Sequence, residues 1–167
     1  MIKENELWDY KDPIRYQNGE AVTLMTIQTA LTEAAANFAI PVAFKNEQIK
    51  SGGLFNSTTE DCLVMYHPEH EKDYLQFCIR VQHQGIYAIV NVNRCGQSKQ
   101  LDKAYRSEIA KQGVKDYVHA KDDMATGQAV GRMIGGALGS IGKSKKKLDE
   151  EKTYYDYVDT IFNDVLS

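Results

Sequence analysis

Apolar residues at Leu24, Ile27, Leu31, Ala35 and Phe38 recur at steps of three and four. That spacing puts them on one side of a helix over 20–39. Pro41 stops it, because the residue before a proline is pushed out of the helical region. Further on, Leu75, Phe77, Ile79 and Val81 alternate with Gln76, Cys78, Arg80 and Gln82. This is the period of a half-buried strand. Gln84-Gly85 then reads as a two-residue hairpin turn. With that turn, Val81 faces Ala88, Ile79 faces Val90 and Phe77 faces Val92, so every pair is apolar. Shorter strands are predicted at Val42–Lys45 and Cys62–Tyr66, with a weaker one at Ile49–Phe55 interrupted by Gly52-Gly53. Residues 1–19 read as an irregular arm docked by Trp8, Tyr10 and Tyr16.

Ser98 is placed to cap a helix from about residue 99, with Leu101, Tyr105 and Ile109 on its apolar side and Gly113 as its stop. Residues 148–167 carry a strongly amphipathic pattern: Tyr154, Val158, Ile161 and Val165, joined by Tyr155, Phe162 and Leu166. Asp149, Glu150 and Glu151 fall in its expected first turn, where the helix dipole favours negative charge. The order predicts an α+β fold: an antiparallel sheet of about four or five strands, helices packed on one face, and a C-terminal helical extension. The sheet-and-helix part is expected over 1–120 and the extension over 121–167.

Within the extension, Gly127, Gly131, Gly135 and Gly139 are spaced by four. On a helix they would form one bare side on which another backbone can press closely. The spacing resembles the glycine zipper, an extended small-xxx-small pattern of membrane helix packing. Each glycine weakens a helix by roughly 1 kcal/mol against alanine, so such a helix needs a neighbour. Lys143, Lys145, Lys146 and Lys147 follow, a cluster suited to anionic headgroups. Arg132 in mid-segment argues against a spanning helix.

Composition narrows the function classes. The chain has 167 residues, 43% of them hydrophobic, enough for one domain with its own core. A net charge of −3 argues against a dedicated nucleic-acid binder. Three widely spaced cysteines make no disulfide framework, and the start has no apolar leader, so a reducing cytoplasm is the expected setting. Residues 137–144 fit a permissive phosphate-loop pattern, but the preceding strand that such a loop needs is missing.

Two constellations invite chemistry. Cys62, His67, His70 and Cys78 are the residue types of a tetrahedral zinc site, although strand rise sets the thiols about 15 Å from the loop histidines. Cys95 sits between a strand and a helix start, where a thiol can become nucleophilic. No base can be placed beside it, and no cofactor is implied. The leading expectation is therefore a small bacterial-type, non-enzymatic binding or assembly module. Its contact surface would be the C-terminal helices, through the four ladder glycines and Tyr154, Tyr155, Ile161 and Phe162, meeting a second copy or another protein. The alternatives are a small hydrolase or transferase with Cys95 as nucleophile, and a peripheral membrane protein.

Overall fold

A computed structural model describes residues 1–112 and 142–167 of the chain. Its sheet has seven strands: β1 (Ile2–Lys3), β2 (Trp8–Asp9), β3 (Ile14–Tyr16), β4 (Ala43–Ser51), β5 (Thr58–Tyr66), β6 (Gln76–Gln84) and β7 (Tyr87–Cys95). The helices are α1 (Leu24–Asn37), α2 (Lys99–Gln112) and α3 (Gly142–Val165). The α+β class stands, and the sheet is larger than the four or five strands expected. It is a curled, mostly antiparallel half-barrel in the order β1-β4-β5-β6-β7-β2, with β3 also on β7. Among the described strands only β1 runs parallel to its neighbour.

The extra strands come from the N-terminal arm. β1 lies on the outer edge of β4, while β2 and β3 lie on the outer edge of β7. The first nine residues thus run from one edge of the curl to the other. Elements of two or three residues are too short to show a period, so the arm reads as irregular in sequence.

The central hairpin keeps its predicted faces with a shifted register. Gln84 pairs with Tyr87, so the turn is Gly85-Ile86, one residue later than expected. Ile79 faces Val92 and Val81 faces Val90, while Phe77 faces Arg94 rather than Val92. Gly85 holds φ +62°, which suits a turn whose first central residue is left-handed. Moving a turn by one residue shifts the pairing by two, so each side chain stays on its own face. Gly52 opens the β4–β5 connection at φ +87°, and a Cβ there would stand 2.1 Å from the Asn56 carbonyl oxygen.

Helix starts follow their caps. Thr23 accepts from the Thr26 amide at 3.1 Å, and Thr26 returns the bond by accepting from the Thr23 amide at 2.9 Å. Ser98 accepts from the Leu101 amide at 3.1 Å, as its cap position predicts.

The two sheet faces bury different things. On one, α1 and α3 cover a large core: Ile27, Leu31, Leu63, Met65, Phe77, Ile79, Val158, Ile161 and Phe162 belong to one cluster. The C-terminal helix is therefore part of the main core layer, while the expected boundary at 120/121 lies outside the described residues. The other face carries a smaller cluster of Ile49, Cys62, Val64, Cys78 and Cys95, on which Ile2 and Leu7 of the arm pack.

Candidate functional site

The three thiols share the face turned away from the helices. Cys78 on β6 stands opposite Val64 and Asn93, so Cys62 on β5 and Cys95 on β7 are its diagonal neighbours. All three are buried and free. The Cys78 hydrogen bond with Cys62, then burial, push the Cys78 thiol up. Burial pushes the Cys95 thiol up to about 12. A nucleophilic cysteine needs the opposite shift, and burial works against it here although α2 begins four residues on. His83 lies seven residues along β6 from Gln76, the strand partner of Cys95. That is about 23 Å at strand rise.

The proposed zinc set is split by the sheet. His67 and His70 lie at the β5–β6 connection, on the helix side. The His70 ring stacks on Tyr74 at 4.0 Å, and His67 meets His70 and Tyr154 edge-on, each at 4.7 Å. Cys62 and Cys78 face the other way. Among the described residues, no three His, Cys, Asp or Glu side chains converge as a metal site.

The helix residues expected to meet a partner are used internally. Tyr154, Tyr155, Ile161 and Phe162 are all buried in the chain's own core. An amphipathic stripe shows that a helix needs an apolar neighbour, and here the sheet is that neighbour. Gly127, Gly131, Gly135 and Gly139 lie outside the described residues. No described helix is long and apolar enough to cross a membrane.

Beside those aromatics is a residue that the charge pattern misplaces. α3 is already helical at Gly142, so Glu151 lies past its first turn. It is fully buried. The Tyr155 hydroxyl donates to Glu151 Oε1 at 2.5 Å and accepts from the Leu75 amide at 2.8 Å. Burial raises the Glu151 carboxyl to about 7, the Ser98 and Tyr155 hydroxyls work against the rise, and Asp73 adds to it. Among the described residues Oε2 has no hydrogen-bond partner. The residue ties α3 to the entry of β6 and stands by the cap of α2. The signal was present in sequence: Glu151 is three and four residues before Tyr154 and Tyr155, on the apolar stripe itself.

A second, partly buried polar knot fastens the arm. The Tyr10 hydroxyl donates to Asp159 at 2.6 Å, Lys11 Nζ lies 3.0 Å from the same carboxylate, and the buried Arg94 guanidinium sits 4.6 Å from the Tyr10 ring centre. Tyr10 and Lys11 belong to the arm and Asp159 to α3, so this knot holds the strands on the β7 edge.

Among the described residues the opposite edge is left open. All nine residues of β4 pair with β5, but on the outer side β1 pairs only with Ile49 and Lys50. Among the described residues no strand covers Ala43–Gln48 from outside. A groove of about 580 Å³ runs along this edge, lined by Met1, Leu24, Asn46, Glu47, Gln48, Asp61 and Cys62. Glu47 takes the Met1 ammonium at 2.8 Å, which holds its carboxyl below the usual range. No family model, curated protein or solved structure matches the chain.

Proposed function

We propose that the chain is a non-enzymatic binding module that takes an extended protein segment onto the open edge of β4. The carrying observation is the pairing of that strand among the described residues: filled along one side, and occupied at only two residues on the other. Outward main-chain amides and carbonyls on such an edge are ready to pair with an incoming strand. The groove gives alternate side chains of that strand somewhere to lie. Lys45, Asn46, Glu47 and Gln48 keep the edge polar, which limits indiscriminate pairing while leaving the main chain accessible. Against the enzyme alternative stands the high Cys95 pKa, which keeps that sulfur protonated at neutral pH.

The test uses a short capped peptide of alternating threonine and valine, titrated into the protein while amide hydrogen exchange is followed. Outward amides between Ala43 and Gln48 are expected to slow on titration. The β6–β7 hairpin, paired already, is expected not to respond. No change along β4 at saturating peptide contradicts the reading.

A further inference from the structure

Resting on that edge-binding reading, we infer that the segment taken up by β4 is the β4 strand of a second copy, running antiparallel about a two-fold axis at Asn46. The open stretch is Ala43–Gln48, and its centre reads Lys45-Asn46-Glu47. Antiparallel pairing centred on Asn46 sets Lys45 opposite the partner's Glu47, and Glu47 opposite the partner's Lys45. Symmetry makes both pairs at once, since a two-fold interface uses the same patch twice. Directly opposed unlike charges stabilise an antiparallel pair, and like charges oppose it. Centring the axis on Lys45 or on Glu47 would set each of those charges against itself. The registers between residues leave both charges facing uncharged side chains. The sequence of the edge thus selects one self-pairing.

The geometry of each copy allows it. Lys45 pairs with Val64 and Glu47 with Cys62 across β4–β5, so both side chains point to the face away from the helices. Lys45 already contacts Glu71 at 2.8 Å and Glu47 contacts the Met1 ammonium at 2.8 Å, yet the two side chains keep 31% and 29% of their surface exposed. Each can hold its own partner and still meet a second charge. Asn46 is exposed at the proposed axis. The axis stands perpendicular to the sheet, so the two sheets become continuous and both helix layers lie on the same side. Met1 precedes the Ile2–Ile49 pair, level with Gln48, so the self-pairing is short. A short, charge-selected contact should give a weak dimer that loosens with salt.

The experiment is charge reversal read by sedimentation velocity of the full chain. Wild type is expected to dimerise reversibly with rising concentration. Lys45→Glu and Glu47→Lys, taken singly, each set like charges opposite in both symmetric pairs, and each should self-associate at least about tenfold more weakly. An equimolar mixture of the two variants restores unlike pairs and should form a one-to-one heterodimer, which no loss of folding can imitate. If either variant fails to fold, Asn46→Cys replaces the test. Oxidised glutathione should link two copies through residue 46, two thiols giving one disulfide and two reduced glutathiones, while Gln48→Cys, away from the axis, should not link. A wild type that stays monomeric, a mixture that stays monomeric, or single variants that dimerise like wild type overturns the inference. If the threonine–valine peptide still protects β4 in that case, the edge reading survives and only the choice of a second copy fails. If the peptide does nothing, both fail.

Discussion

Replacing Glu151 by glutamine is expected to make the protein more heat-stable above pH 7 and to remove the fall in stability that this carboxyl causes between pH 4.5 and 7. The carboxyl is wholly enclosed, and burial holds it at about 7 against an ordinary value of 4.5. The unfolded chain therefore releases this proton at lower pH than the folded chain does. Below 4.5 both states keep it, and the group imposes no cost. Between 4.5 and 7 only the folded state binds it, so stability falls as pH rises. Above 7 the loss is complete, roughly 3 kcal/mol for a shift of this size. Glutamine keeps an oxygen for the Tyr155 hydroxyl and carries no charge to bury.

His67 has a slope of opposite sign. Burial first, and His70 after it, lower its pKa, so its contribution to stability rises with pH through the range around 6.5. Comparing wild type with Glu151→Gln cancels that contribution. Thermal melts at pH 5 and pH 8 should show near-equal midpoints at the lower pH. At the higher pH the variant should melt above wild type by on the order of 5–10 °C. Equal midpoints at pH 8 would contradict the burial of a titrating carboxyl.

The second large effect is at Phe162. Its side chain has no exposed surface, and its ring lies 5.5 Å from Phe77 and 5.8 Å from Tyr10, centre to centre. It joins α3, the middle of the sheet and the N-terminal arm. Phe162→Ala removes contacts to all three and leaves a cavity, at a cost of about 3–5 kcal/mol. Tyr157→Ala, on the same helix but half exposed, should stay within about 0.5 kcal/mol of wild type. Chemical denaturation of the two variants checks the contrast. Should Phe162→Ala unfold at the same denaturant concentration as wild type, α3 would not be docked on the sheet. That pair of variants also separates a helix spent on its own core from one reserved for a partner.

What could be read in the sequence was whatever repeats with a period. Phe77, Ile79 and Val81 alternate long enough to show a strand and its buried face, and Leu24, Ile27 and Leu31 show a helix in the same way. The Ser98 cap was equally legible, because one hydroxyl and a following helical pattern suffice. The hairpin register differs by two from the one the pattern suggests, because pattern fixes only which face a residue takes. Gly85 in its left-handed conformation fixes the turn, and either neighbouring turn keeps the faces. β1, β2 and β3 were illegible because two or three residues carry no period, and their place depends on edges built elsewhere in the chain.

The site was harder to read than the fold. The charge pattern reads Glu151 as a dipole residue because the apolar period sets in near 148; α3 is already helical at Gly142, and Glu151 lies inside it on the buried stripe. Tyr154, Tyr155, Ile161 and Phe162 read as one apolar face, but a stripe does not say whether its neighbour is the chain itself or another molecule. The opening along β4 was invisible for a different reason. It is defined by how little β1 covers, and that depends on where the arm lands.

The availability of that edge is measured most directly by amide hydrogen exchange along Ala43–Gln48 in the protein alone, at low and high concentration. The outward amides should exchange quickly in dilute solution and slow as concentration rises, while the paired amides of β6 and β7 stay slow throughout. Outward amides that are already as slow as those of β6 in dilute solution would mean the edge is covered within the single chain, and the account would be wrong.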